Sequence, residues 1–327
     1  MKKRLISVLL LICLAFSLFS CTANRKEDDK LTILCTLFPQ YDWLRNITEG
    51  VEGIELSLII ANGADPHSYQ PTATDIMNIS NCDILVYLGG DSDAWLSEAL
   101  ERSGNESITR IALSELDGIT LREISSSSHS HEGHEHSHEG HEHSSVDEHL
   151  YLSLKNASVA TKALAEMLSE KDPENREIYI KNAEEYSARI EALGSSFEED
   201  ISALDDESRF MLFADRFPFV YLLSDYDVHY SAAFEGCTTD VDAGFDTVIR
   251  LIEEADEHEI KYIAVTESSD KALAETVASS TKTNIEEIIV LNSMQSVTSV
   301  QIKNGADYLS IMQENLNAIN KALGITE

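Results

Sequence analysis

Positive charge is scarce in this 327-residue chain: Lys and Arg number 24 against 58 Asp and Glu, a formal net charge of −34. That scarcity argues against nucleic acid as a partner, because phosphate backbones are held by Lys and Arg. Long apolar runs are also scarce. One lies at the N-terminus, and no later stretch is apolar enough to span a bilayer. Five cysteines are present and none has C-x-x-C spacing. The nucleophile elbow and the phosphate-cradling loop are both missing, which removes the commonest hydrolase and nucleotide-binding signatures.

The N-terminal run has the layout of a secretory signal over residues 1–20, with Lys2, Lys3 and Arg4 ahead of the apolar stretch Leu5–Phe19. It ends in Leu18-Phe19-Ser20-Cys21, a lipobox-like close that makes Cys21 the expected lipidated first residue of an exported, membrane-anchored protein. A plain signal peptide or an uncleaved anchor are the alternatives, and the short run and the placement of Cys21 favour the lipobox. Residues 21–30 then read as a polar tether. Loss of the three basic leader residues takes the mature chain from −34 to near −37. Such acidity suits a protein that handles cations, although acidity is usually a solubility device. Cys13 leaves with the leader. Cys35, Cys82 and Cys237 remain, and Cys35 and Cys82 lie at strand edges of one half, placed either for a disulfide or as buried thiols.

Eight of the eleven histidines fall within residues 129–149, HSHEGHEHSHEGHEHSSVDEH, where no apolar residue occurs before Val146. Imidazole is a good ligand for Zn²⁺ and its first-row neighbours, so the tract reads as metal binding. It has almost nothing apolar to offset the entropy of ordering and cannot build a core. We expect a metal-collecting loop over 127–145, with His129, His131, His134, His136, His138, His141 and His143 as weak ligands. His134 to His138 also fits the zinc-protease pattern H-E-x-x-H, but that pattern needs a helix, and a low-complexity run between Gly133 and Gly140 gives no reason to expect one.

Each half of the mature chain alternates β-branched runs with helical periods, the pattern of parallel sheets covered by helices. Strands are expected near 31–36, 54–60, 83–88 and 107–112, then near 209–214, 228–233, 261–266 and 286–291. The halves echo each other: Phe38-Pro39 aligns with Phe217-Pro218, and Ser92-Asp93 with Ser269-Asp270. The fold class is therefore α/β, with two similar lobes, each a four-stranded parallel sheet flanked by helices. The N-terminal lobe spans 31–154 and the C-terminal lobe 205–327. Between them, residues 155–204 show no strand pattern. Pro173 opens a connecting helix of roughly 25–30 residues, about 40 Å long at 1.5 Å per residue, stiff enough that the lobes should hinge little.

Ligands of open α/β sheets bind beyond the carboxyl ends of the strands. His67, in Asn62-Gly63-Ala64-Asp65-Pro66-His67, follows the second strand, and His149 closes the loop after the fourth. Asp215 follows the fifth strand, Glu235 the sixth and Glu267 the seventh. The segment after the eighth offers Asn292, Ser293, Met294 and Gln295. The plainer reading makes each histidine a hydrogen-bonded loop residue, Asp215 a helix cap or a partner of Arg216, and the two glutamates solvated carboxylates. Two histidines at matching strand ends, beside a His-rich loop in an exported acidic chain, favour a metal site. His229 and His258 read as surface or packing residues, and Tyr41, Trp43 and Trp95 as core.

The lipobox, NGADPHSYQPTATDI, NCDILVYLGGDSDAWL, the His-rich insertion, DEHLYLSLKNA, DPENREIYIKNAEEY and GADYLSIMQENLNAINKAL together resemble the metal-binding solute receptors of bacterial ABC importers for zinc and manganese, the cluster A-I or cluster 9 family. The resemblance covers essentially the whole mature chain. It implies capture of one divalent ion between two lobes and delivery to a permease driven by a cytoplasmic ATPase, by a monomer that performs no catalysis. It carries the first two family ligands to His67 and His149. The third falls at Ala214, with Asp215 beside it, and the fourth in LNSMQSVT, which has no carboxylate; Asp215, with Glu267 and Glu235 in reserve, is the expected C-lobe contribution. The His-rich loop accompanies zinc members, so Zn²⁺ is the expected cargo and Mn²⁺ is tolerated by the same donors. In this reading the loop collects Zn²⁺ weakly and passes it to His67 and His149, and affinity falls below about pH 6.5, where free imidazole protonates. An exported zinc hydrolase with Glu267 as base is an alternative, as is a metal buffer or cell-adhesion protein without a transporter.

Overall fold

The computed structural model describes residues 30–123, 146–235 and 243–325. The leader with Cys21, the metal-collecting histidines of the tract and Cys237 lie outside the described residues. Among those described, no helix is long and apolar enough to cross a membrane.

The N-terminal lobe runs β1 (Leu31–Cys35), α1 (Phe38–Ile47), β2 (Ile54–Leu58), α2 (Ala73–Asn81), β3 (Ile84–Tyr87), α3 (Trp95–Ser103) and β4 (Thr109–Ala112). The C-terminal lobe repeats the plan with β5 (Phe210–Phe217), α6 (Val220–Ser224), β6 (His229–Glu235), α7 (Phe245–Glu257), β7 (Tyr262–Thr266), α8 (Ala272–Ser280) and β8 (Glu287–Leu291). Both sheets are wholly parallel, ordered β2-β1-β3-β4 and β6-β5-β7-β8, so the echo between the halves is topological as well as local. Parallel strands flanked by helices are buried on both faces, and ILVY of β3 and YIAVT of β7 are accordingly unbroken apolar runs apart from one threonine.

Between the lobes stand α4 (Leu154–Lys171) and α5 (Arg176–Ser202). Ser153 caps α4, its hydroxyl accepting from Asn156 N, and Pro173 opens the turn that leads into α5. The 27 residues of α5 span about 40 Å. Two further helices close the chain, α9 (Ser299–Lys303) and α10 (Tyr308–Ala322), where the sequence pattern suggested one; Asp307 caps the second, accepting from Ser310 N.

A single apolar core runs from Leu31 and Trp43 of the N-lobe through Tyr179 and Ile190 of α5 to Phe213, Met294 and Tyr308 of the C-lobe. A smaller cluster, with Leu212, Leu251, Ile263 and Val277, lies under α7 and α8. Asp42 is fully buried where α1, α5 and α10 meet: it accepts from Tyr186 Oη at 2.9 Å and Tyr308 N at 3.1 Å and pairs with Arg45. Burial pushes its carboxyl above the ordinary value, the Arg45 charge opposing. Cys35 and Cys82 are both free, buried thiols. Burial raises both, Cys82 to about 11, so neither is a ready thiolate.

The seam between the lobes is polar and specific. Tyr221 Oη accepts from Arg122 N at 2.9 Å and donates to Asp147 O at 2.7 Å, holding the residues beside both partners of the Glu123–Val146 bridge. Tyr151 Oη donates to Ser293 O and Tyr308 Oη to Tyr151 O, while Ser299 N donates to Ala61 O.

Candidate metal centre

His67 sits on a single 3-10 turn, Pro66–Ser68, after β2. Asp65 starts that turn, its Oδ1 accepting from His67 N at 3.0 Å, while Pro66 supplies a fixed φ at the first turn position. Across the cleft, Arg216 of β5 reaches Asp65 Oδ2 at 3.2 Å, so the turn that aims His67 is braced from the other lobe.

His149 is 3% exposed. Asp147, two residues earlier and equally buried, accepts from His149 N at 2.8 Å and faces its Nδ1 at 2.9 Å. A carboxylate accepts, so Nδ1 carries a proton, and in the neutral ring Nε2 is then the lone-pair nitrogen, the ligand form of imidazole. Glu148 anchors the same segment, accepting from Ser92 N at 2.7 and 2.9 Å, and Gly90 has no side chain because a Cβ there would lie 2.5 Å from Glu148 Cγ.

The two imidazoles meet with ring centroids 5.8 Å apart. Their Nε2 atoms converge on one group of the C-lobe, the Gln295 amide nitrogen, at 3.3 Å from His67 and 2.5 Å from His149. The structure thus brings together the two expected histidines and adds Gln295, whose neutral side chain gave no ligand signal in the sequence. Asp147 was missed as well; its position two residues before His149 was the available sign.

Asp215 and Glu267 are engaged elsewhere and form no ligand group with this pair. Asp215 is inside β5 rather than after it: the strand continues to Phe217 through a register shift between Phe213 and Arg216. There it accepts from Thr266 N at 2.9 Å, Thr266 Oγ1 at 2.7 Å and Arg216 N at 2.8 Å, clamping β5 to β7. Glu267 accepts from Ser293 N and Ser293 Oγ, each at 2.8 Å, and from Ser296 Oγ at 3.1 Å, which fixes the loop that carries Gln295. Glu235 ends β6. Among the described residues, no group of three or more His, Cys, Asp or Glu side chains is arranged to hold a metal. His229 meets Asp206 on the surface, and His258 stacks on Phe210.

A family model described as zinc-uptake complex component A, periplasmic (ZnuA), matches residues 33–322. The chain is 29% identical over 324 residues to the zinc-binding lipoprotein AdcA of Streptococcus pneumoniae serotype 4, covering 98% of this chain and 61% of that protein. It is 29% identical over 299 residues to the high-affinity zinc uptake system protein ZnuA of Bacillus subtilis, covering 91% of this chain and 89% of the relative. The fold matches the crystal structure of the metal-dependent lipoprotein YcdH from Bacillus subtilis with a TM-score of 0.72 at 25% identity, covering 91% of this chain and all of that one.

Proposed function

The chain belongs to the ZnuA family of zinc-uptake components, and from that premise we propose that it is the extracytoplasmic receptor of an ABC importer. It captures one Zn²⁺ in the cleft between its lobes and delivers it to a membrane permease driven by an ATPase. The observation that carries this reading is the convergence of the His67 and His149 Nε2 atoms on one point of the interlobe seam, with Asp147 accepting from Nδ1 of His149. Zinc takes imidazole nitrogen at about 2.0–2.1 Å and oxygen donors beside it, and Mn²⁺ accepts the same kinds of atom. The relatives that the chain matches are named for zinc binding and zinc uptake, which favours Zn²⁺ as cargo. In this reading His67 and His149 are the N-lobe ligands and Gln295 is the C-lobe contact. Asp215 and Glu267 hold the frame behind it.

Cys21 would anchor the protein to the outer face of the cell membrane, and the 127–145 tract would raise the local zinc concentration before transfer to the cleft. Calorimetric titration of the metal-stripped mature chain with Zn²⁺ and then Mn²⁺, beside a His67→Ala/His149→Ala variant, tests the reading. The expected result is one tight zinc site lost in the variant and several weak ones retained; tight binding that survives the double substitution would exclude the cleft. A variant lacking 127–145 should keep the tight site and lose the weak ones.

A further inference from the structure

The loop after β8 is built more firmly than a connection requires. Asn292 N donates to Asn315 Oδ1 at 2.7 Å, and Asn315 Nδ2 donates back to Asn292 O at 2.9 Å. Glu267 holds Ser293 and Ser296. Met294 is wholly buried at φ 60°, a left-handed backbone that an L side chain rarely adopts. This scaffold presents the next residue, Gln295, to the two histidines.

The orientation of that amide follows from its surroundings. Asp147 accepts a hydrogen bond from His149 Nδ1–H, so in the neutral ring His149 Nε2 is an acceptor and a donor suits it. The NH₂ end of Gln295 therefore points inward, 2.5 Å from His149 Nε2 and 3.3 Å from His67 Nε2. A metal ion needs the same two ring nitrogens. The positive end of the amide dipole stands where the cation would stand.

We propose that Gln295 is a latch: its amide N–H groups close the cleft of the metal-free protein through the two imidazoles that bind the metal, and metal entry must displace it. This rests on the reading of the cleft as a metal site and deepens it. Gln295 belongs to the C-lobe and both histidines to the N-lobe, so the two bonds tie the lobes without cargo. A cation between the rings repels the N–H groups. The amide then turns about its Cγ–Cδ bond and offers Oε1 as a neutral oxygen ligand. Uptake is thus coupled to breaking two interlobe bonds. A glutamate at this position would behave in the opposite sense, because its carboxylate has only acceptors to face the lone pairs, yet it would hold a cation strongly.

The test uses the full mature chain as wild type, Gln295→Ala, Gln295→Glu and the His67→Ala/His149→Ala variant, whose intact tract supplies the background to subtract. Zinc uptake is followed by stopped flow against a fluorescent chelator, and hydrogen exchange is read in segments 146–151 and 292–298 without metal. Removing the latch should speed zinc association at the cleft by about fivefold or more, since the binding-competent fraction of the metal-free protein rises. Gln295→Glu should bind zinc on the order of tenfold tighter or better through its added charge. Its metal-free form should exchange faster than wild type in both segments, with protection restored by zinc. Association of Gln295→Ala at the wild-type rate, together with unchanged exchange in metal-free Gln295→Glu, would overturn the latch and leave the receptor reading standing. Tight zinc uptake that persists in the double-histidine variant would overturn both.

Discussion

At His149 the two ring nitrogens have separate tasks, one held by Asp147 and the other presented to the cleft. An asparagine at 147 keeps the size but replaces a charged acceptor with a weaker neutral one, and such partners of ligating histidines are typically worth about 10–100-fold in metal affinity. Asp147→Asn should therefore lower zinc affinity by at least about tenfold with the fold intact, as read by chelator competition and circular dichroism. An unchanged affinity would leave Asp147 with the loop alone to hold. Asp93 makes a second prediction. Its carboxyl accepts from Leu88 N and Gly89 N, yet burial outweighs those bonds and raises it to about 6. A raised folded value means that its stabilising contribution is complete below the unfolded value of about 3.9 and is lost as pH climbs through about 6. Two units correspond to roughly 3 kcal/mol. An asparagine side chain can still accept both backbone bonds and never ionises, so Asp93→Asn should gain on wild type by about 2 kcal/mol between pH 4.5 and 7.5 in urea titrations. Parallel pH profiles would refute it.

At the scale of elements, the 147–149 segment is stapled to the N-lobe by Glu148 on the turn before α3, and Gly90 leaves the space for that staple. Gly90→Ala should push the carboxylate off Ser92 N, cost about 1–2 kcal/mol of stability and weaken zinc binding although no ligand is altered; Glu148→Gln, which can still accept one of the bonds, should do less. Wild-type zinc affinity in Gly90→Ala would show that the histidine is aimed without the staple. Elements of this kind were unevenly legible in the sequence. The eight strands and the long connecting helix announced themselves, because buried parallel strands are apolar runs and the helices carry a 3.6-residue period with proline at their starts. His67 and His149 were legible because Gly63 and Pro66 frame one and the His-rich tract leads to the other. Asp215 was misplaced by a register irregularity that extends β5 beyond its apolar run, a pairing effect that no local pattern encodes. Gln295 was passed over because a neutral amide becomes functional only through what it faces, and what it faces comes from 146 and 228 residues away.

The whole molecule is held as one body by a core that crosses the seam and by polar bonds such as those of Tyr221. Two lobes with separate cores would be free to unfold one after the other; here Trp43, Tyr179, Phe213 and Tyr308 belong to one continuous cluster, and Trp43 packs edge-on against Tyr308 from the opposite end of the chain. The metal-free protein should therefore unfold in a single cooperative transition, with the fluorescence of Trp43 and Trp95, both carried by the N-lobe, coinciding with far-ultraviolet circular dichroism, which reports both lobes. Tyr221→Phe tests how far the seam contributes. The lost hydroxyl leaves Arg122 N and Asp147 O without that partner, and one such buried group costs about 1–3 kcal/mol. The variant should lose on the order of 2–4 kcal/mol while keeping one transition, and because Asp147 is loosened at the same stroke, its zinc affinity should fall as well. Two separated transitions in the wild type would mean that the lobes fold independently, and the cleft would then be a hinge rather than a seam.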